Sequence, residues 1–391
     1  MASKSNVIYM NKAARQPKRK AINNESALPL KKGTPDMWIF LIVVLLVGIG
    51  VIMVFSASYY DTLSSDPYEY LKRQGSFAGL GLLISIVAMN VNYQKYRFLA
   101  KPLLYITIIL LVAVFFFDDV HNTNTHRWIP LGVSGINIQP SEIAKFTLSL
   151  YLASLFSKRS ADVNRLGGEL GHSLIVLMVM LALVYKEPDL GASVALACIA
   201  MAILITAGLH WLYVGSALVA GGAVIAALVT SSNYQMRRIL GFLDPWADPL
   251  GTGYQLINSY YALGSGGFWG VGIGGSRQKL GFLPEQNTDF IFSITGEELG
   301  FIGAGLIIIL FLCLAWRGYM IALRCPDLYG SLLAMGITTS IALQAAINLG
   351  VVTGCLPVTG VTLPFISYGG SSLLMSMGSM GVLLNISRYR K

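Results

Sequence analysis

Apolar residues run along this chain in long blocks, separated by polar connections that carry most of the charge. Blocks near membrane-spanning length occur at about 38–57, 75–92, 102–117, 141–156, 169–185, 190–208, 210–230, 298–316, 329–351 and 364–386. A helix needs roughly 20 such residues to cross the hydrocarbon core. The pattern therefore predicts an all-α polytopic membrane protein with ten transmembrane helices. Several blocks are short or cut by polar residues, and function is expected there. Two connections stand out, at about 118–140 and 231–297; the second is long for a structureless loop. No internal repeat is evident, which weakens an inverted-repeat transporter reading.

Charge then sets the orientation. Loops that hold Lys and Arg stay on the cytoplasmic side, and 19 of the 28 basic residues fall on one set of connections if the N-terminus is cytoplasmic. Both termini are then cytoplasmic, and the 231–297 loop between spans seven and eight is extracytoplasmic. Residues 1–36 form a basic cytoplasmic tail, and 37–391 a single transmembrane domain. Only 12% of residues are charged and 54% are hydrophobic, against roughly a quarter charged in soluble chains. Topology accounts for the net charge of +9, so nucleic acid is not an expected partner. The polar N-terminus predicts no cleavable signal peptide. Cys198, Cys313, Cys325 and Cys355 show no paired spacing, and His121, His126, His172 and His210 no metal-ligand spacing; no metal site is predicted.

Chemistry-bearing residues gather on the predicted outer side. "INIQPSEIAKF" opens the fourth span with Glu142 and Lys145 three apart on one face; they form either a mutual ion pair or a cavity wall meeting an anionic substrate. "HRWIPLG" supplies Arg127 and Trp128. "YKEPDLG", with Lys186, Glu187 and Asp189, has the turn chemistry of a tight hairpin. In the long loop, Tyr254, Ile257, Tyr260 and Tyr261 predict a short amphipathic helix at the outer interface. Gly270, Gly272 and Gly275 match G-x-G-x-x-G without a preceding strand, so no dinucleotide site follows. Arg277 and Lys279 just beyond could hold a phosphate or a lipid headgroup. Glu297 and Glu298, at the predicted start of span eight, read as helix-end charges. Asp289 in "LPEQNTDFIFS" sets one carboxylate against an apolar run, with Glu285 four residues before it.

"RWIPLG…IQPSEIAK", "EPDLG", "GYQLINSYYALGSGGFWGVGIGGSRQKLGFLPEQNTDFIFSITGEELGFIG" and "VVTGCLPVTGVTLPFISYGGSSLL" together resemble the SEDS family, which includes FtsW, RodA and SpoVE. "GGSRQKLGFLPE" and "LNISRYRK" look closer to the FtsW/SpoVE branch. One departure is the Glu of "EPDLG", where the family more often has Gln. The resemblance implies a ten-helix fold in the bacterial plasma membrane. It implies a peptidoglycan glycosyltransferase that polymerises lipid II into glycan strands at the division septum, with a class B penicillin-binding protein and other divisome proteins as partners. The acid of the "TDF" motif, here Asp289, is the catalytic residue it implies.

The leaving group in lipid II polymerisation is polyprenyl pyrophosphate, which departs as an anion and needs no general acid. A glycosidase expels an alcohol and needs two carboxylates. One general base plus cations is therefore expected: Asp289 as base, with Arg127, Lys145, Arg277 and Lys279 facing pyrophosphate, and room for a divalent ion, Mg or Mn. Trp128, Glu142, Gln255, Glu285 and Ser371 complete the expected substrate-binding set, with Ser259, Ser367, Tyr368 and Ser372 as further cavity residues. Glu285 is the nearest rival base. The alternatives are a spore cortex polymerase of the SpoVE type, a lipid II flippase, and a transpeptidase-activating scaffold. Clustering of ionisable residues on one side favours an enzyme over a flippase.

Overall fold

A computed structural model describes residues 32–63, 66–117, 127–130, 137–158 and 163–390, with Asn233 and Tyr234 described by their backbone only. The basic tail at 12–20, His121, His126 and most of the 118–140 connection lie outside the described residues. Twelve α-helices are described: α1 (Met37–Ser58), α2 (Glu69–Asn90), α3 (Tyr96–Ala113), α4 (Pro140–Phe156), α5 (Glu169–Lys186), α6 (Leu190–Ala207), α7 (Trp211–Ser231), α8 (Asn233–Leu243), α9 (Tyr254–Gly266), α10 (Ile291–Arg324), α11 (Leu328–Val352) and α12 (Gly370–Ser387). A two-residue ribbon, β1 (Ile129–Pro130) against β2 (Asn137–Ile138), is the described exception to helix. Seven helices (α1, α3 with its flanking turns, α5, α6, α7, α10 and α11) are long and apolar enough to cross a membrane. The chain is a multi-pass membrane protein.

Each predicted block overlaps a helix of 17 residues or more, but two starts differ. The α10 helix begins at Ile291 rather than 298, because Phe290, Ile291, Phe292 and Ile294 are all buried and wind straight into the helix. The α12 helix begins at Gly370 rather than 364, because 361–369 is an irregular segment anchored by hydrogen bonds, with Phe365 at φ 66°. Glu297 and Glu298 thus lie inside α10 and not at its start.

At one end of the bundle, Asp36 caps α1 by accepting from the Trp38 and Ile39 amides (3.1 and 3.3 Å). Its carboxylate, fully buried, also pairs with Arg317 at 2.8 Å and with Arg390. Burial opposes the charge, yet the hydrogen bonds from the two guanidiniums hold this carboxyl below its usual range. The Gly33 amide donates to the Arg388 carbonyl (2.7 Å). The compact unit starts at Gly33.

The glycine-rich loop has a structural job that its motif match does not suggest. Helix α10 breaks at Gly300 (φ 67°), which strands backbone groups inside an apolar bundle, where each must find a partner. The loop supplies them. Val271 and Gly272 amides donate to the Glu297 and Glu298 carbonyls (3.0 and 3.1 Å), and Phe301 and Ile302 amides donate to Gly267 and Phe268 carbonyls (2.8 and 3.3 Å). A Cβ at Gly270 would lie 2.1 Å from the Glu298 carbonyl oxygen, so only glycine permits this approach. The next turn is held by carboxylates: Glu297 accepts from the Arg277 amide (3.0 Å) and the Ser276 hydroxyl, while Glu298 takes the Lys279 ammonium (2.7 Å) and the Ser56 hydroxyl (2.8 Å).

Removing one member of a buried pair leaves the other charge uncompensated, typically at a cost of about 3–5 kcal/mol. Lys279→Met is therefore expected to lower the detergent melting temperature sharply. Lys279→Met with Glu298→Gln should recover most of the loss, and a double-mutant cycle of melts checks the coupling.

Candidate active site

Asp289 sits two residues ahead of α10, in a turn that its neighbours fix. The Thr288 and Phe290 amides both donate to the Glu285 carbonyl (3.2 and 3.1 Å). Glu285 takes left-handed backbone (φ 54°), and its carboxylate accepts from the Thr288 hydroxyl (2.8 Å). Leu283, Phe290 and Phe292 are buried and pin the turn from below, so Asp289 is left half-buried at the rim.

Two further elements grip the backbone of this turn. From α11, the fully buried Asn348 side-chain amide donates at once to the Asp289 carbonyl and the Val361 carbonyl, both at 2.7 Å. From the segment before α12, the Ser367 hydroxyl donates to the Thr288 carbonyl (2.6 Å) and accepts from the Leu363 amide (2.8 Å). The Tyr368 amide donates to the Asn287 carbonyl (2.8 Å). The carboxylate itself makes no capping bond to α10.

Arg127 faces this carboxylate. Its Nε donates to the Glu187 carbonyl (3.0 Å) and its Nη2 to the Pro188 carbonyl. A Cβ placed on Gly360 (φ 77°) would stand 3.4 Å from Arg127 Nη1 and 3.5 Å from Asp289 Oδ2. Gly360 thus keeps open the space between guanidinium and carboxylate. From α8, Arg238 Nη1 donates to the Val358 carbonyl (3.1 Å) and holds the same segment.

Burial pushes the Asp289 carboxyl up, the Glu285 carboxylate adds to this, and Arg127 draws it partly back, leaving it at about 7. A base poised near neutrality both ionises and accepts a proton effectively. Glu187 is fully buried, and neither of its carboxyl oxygens has a hydrogen-bond partner among the described residues. Burial and then the Asp189 charge push it up to about 9, against Arg127. Asp189 caps α6 through the Ala192 amide (2.9 Å), in keeping with a structural hairpin.

The other expected site residues fall in several places. Glu142 and Lys145 are buried and paired at 2.7 Å, and Lys145 Nζ also donates to Gln344 Oε1 (2.6 Å). Gln344 continues to the Thr362 carbonyl (3.2 Å), so this pair supports the segment that grips Asp289 while bordering a small void lined by Ser149, Ser376 and Ser379. Lys279 is spent on Glu298 and is 1% exposed, so it offers no open cation at the loop surface. Arg277 is exposed. Ser371 accepts from the Gln139 amide (3.3 Å) and joins α12 to the start of α4. Trp128 is half-buried beside β1, and Gln255 is half-buried on α9. No described hydrogen bond joins Gln255 or Arg277 to Asp289.

The α9 helix is not laid flat on a surface as its tyrosines suggest. Ile257, Ser259 and Ala262 are buried, Ser259 bonds to Ser293 of α10 (2.8 Å) and to the Val352 carbonyl (2.7 Å), and Tyr261 alone of the expected tyrosine face is well exposed. Among the described residues no group of three His, Cys, Asp or Glu is placed to hold a metal ion. A divalent ion here would depend mainly on oxygens brought by the substrate.

Sequence reasoning missed Asn348, Gln344, Gly360 and Arg238. The first two carried a signal, as amides in the otherwise apolar "ALQAAINLG" stretch. Gly360 and Arg238 gave none, since their roles arise from what the fold brings near them.

This geometry can be set beside known proteins. The family model described as "Cell cycle protein" (FTSW_RODA_SPOVE) matches residues 37–391, and the chain belongs to that family. The chain is 43% identical over 368 residues to stage V sporulation protein E of Bacillus subtilis, covering 92% of this chain and 99% of that one. It is 42% identical over 363 residues to the probable peptidoglycan glycosyltransferase FtsW of Trichlorobacter lovleyi, covering 92% and 94%. Among solved structures, a chain of a peptidoglycan synthase complex that coordinates polymerization and crosslinking matches with a TM-score of 0.73 at 28% identity, over 90% of this chain and 98% of that one. The rod shape determining protein RodA of Thermus thermophilus matches with a TM-score of 0.67 at 28% identity, over 91% and 97%.

A carboxyl at about 7 when folded, against 3.8 for the free group, holds its proton more tightly in the native state. That state therefore loses stability as pH rises through this window. A base role for this carboxyl requires that proton to be gone, and predicts that kcat/KM falls with unit slope below about pH 7. Glu285→Gln removes the neighbouring negative charge and should move this limb about half a pH unit lower; a pH–rate profile of both proteins checks it.

Proposed function

We propose that this chain is a peptidoglycan glycosyltransferase that polymerises lipid II, with Asp289 as its general base. The relatives support the activity. The observation that carries the role is the Asp289 carboxyl, fixed through its backbone by Asn348 and facing Arg127 across Gly360. The 4-hydroxyl of a GlcNAc gives its proton to Asp289 while its oxygen bonds to C1 of MurNAc. The C1–oxygen bond to pyrophosphate breaks as the new one forms, and its electron pair leaves with polyprenyl pyrophosphate. The anomeric centre inverts. Arg127, oriented by two backbone carbonyls and bound to no carboxylate among the described residues, keeps its charge for the departing pyrophosphate. A divalent ion carried by that pyrophosphate would add positive charge at the same place.

In this reading ten helices cross the plasma membrane, both termini are cytoplasmic, and Asp289 faces outward where lipid-linked sugars are joined. The crosslinking partner is a class B penicillin-binding protein, in line with the synthase complex that this chain resembles. The setting is septal synthesis. The likeness to stage V sporulation protein E favours one second reading, spore cortex synthesis. A tagged copy at vegetative septa supports the first; one confined to sporulating cells supports the second.

Asp289→Asn keeps size and removes the base, so polymerisation of lipid II by the purified protein with its partner should fall by about 10²–10⁴-fold, with insertion and melting behaviour retained. Strands of wild-type length and rate from that variant would overturn the assignment.

A further inference from the structure

The connection between α1 and α2 holds a cluster that neither the fold nor the reaction has so far used. Phe55, Tyr59, Tyr60 and Tyr68 make a continuous run of ring contacts. Phe55 stacks parallel to Tyr68 (5.8 Å, 8°) and edge-on to Tyr59 (5.7 Å), which meets Tyr60 edge-on (5.7 Å). Core aromatics would be covered, but Tyr60 is 47% and Tyr68 53% exposed. Beneath Tyr60 lies the buried ammonium of Lys279, 5.7 Å from the ring centre, so the ring is supported from the protein side.

The cluster is bonded to the active-site turn. Gln286 Nε2 donates to the exposed Asp61 carboxylate (2.9 Å), and Asn287 Nδ2 reaches Ser58 Oγ (3.5 Å). Gln286 is three residues from Asp289, at most roughly 10 Å of chain. A polymer leaving Asp289 past Gln286 would run toward these rings.

The neighbourhood is polar. Asp61 is exposed, and the partly exposed pairs Lys72–Asp66 (2.7 Å) and Arg73–Glu69 (2.7 Å) flank the rings. Open aromatic faces edged by carboxylate and phenol hydroxyls suit a pyranose, which offers C–H bonds on its faces and hydroxyls at its rim. A lipid chain would leave those charges unanswered.

The geometry points to a sugar-binding platform, with Tyr60 and Tyr68 stacking on pyranose rings of the glycan strand and Asp61 accepting from a sugar hydroxyl. The platform deepens the polymerase reading and rests on it. It retains the strand between additions, so its loss shortens the product.

The test compares strand lengths made from lipid II by the full chain with its partner, for the wild type, Tyr60→Leu/Tyr68→Leu and Tyr60→Trp/Tyr68→Trp. Leucine keeps the apolar bulk but removes the ring, so the Leu pair should make strands shorter on the order of tenfold, while the Trp pair keeps wild-type length. Wild-type strands from the Leu pair would overturn the platform and leave the tyrosines as bilayer-interface anchors. Saturable binding of soluble glycan oligosaccharides to purified Asp289→Asn protein is the second arm. No binding there overturns the platform even if the Leu pair fails to fold. Binding that the Leu pair loses, alongside a wild type that makes no polymer, would sink the polymerase reading and keep the sugar site.

Discussion

A charge buried among apolar helices must be answered by another charge or a hydrogen-bonding group, and this constraint organises the molecule. Asp36 is answered by Arg317 and Arg390, which tie the start of α1 to late α10 and the residues after α12. Glu142 is answered by Lys145, which also reaches Gln344 of α11. Glu298 is answered by Lys279 and Ser56, which ties the long loop to α1 and α10. Each pair, with the further bond from Lys145 to Gln344, helps close a seam between elements. Asp289 is different: its backbone carbonyl is gripped while its carboxylate is left without a described partner, so stability is drawn from the peptide and reactivity is left to the side chain.

The helical blocks were legible because membrane spans write themselves as apolar runs, and the acid of "TDF" because it interrupts one. What the sequence hid depended on tertiary pairing. The break at Gly300 looks like an ordinary glycine in a span, and only the fold shows Val271 and Gly272 donating to the carbonyls just before it. Lys279 looks like an open loop cation and is buried, because Glu298 lies inside α10 and not at its mouth. The α10 start was misplaced because the two glutamates imitate a helix beginning, whereas buried Phe290 and Phe292 set the true one. Tyr254, Ile257, Tyr260 and Tyr261 have the spacing of an interfacial helix, but Ile257 and Ala262 are buried and Ser259 bonds to α10 and to the last residue of α11.

The segment 358–368 shows how far such support reaches. It has no regular structure, yet Arg238, Asn348, Gln344 and Ser367 all bond to its backbone or fix it from within. Irregular backbone at a bundle mouth is tolerable only when side chains replace the helical bonds it lacks. Side chains from α8, from α11 and from the segment itself therefore converge to hold Gly360 where a side chain would enter the gap between Arg127 and Asp289.

Glu187 completes the electrostatics of that gap. In the proposed reaction, a carboxylate beside Arg127 would cancel the charge offered to pyrophosphate. Burial, reinforced by Asp189, holds Glu187 at about 9, so near neutral pH it is uncharged and contributes to Arg127 only its backbone carbonyl. Asp189 is engaged as the α6 cap. A neutral Glu187 also suits a family position more often filled by Gln, its uncharged isostere. Desolvation thus acts twice, raising Asp289 to about 7, the range the proposed base role needs, and raising Glu187 further, to about 9. The two acids differ in setting because one sits at the rim with Arg127 across an open gap, and the other is fully buried behind that same arginine.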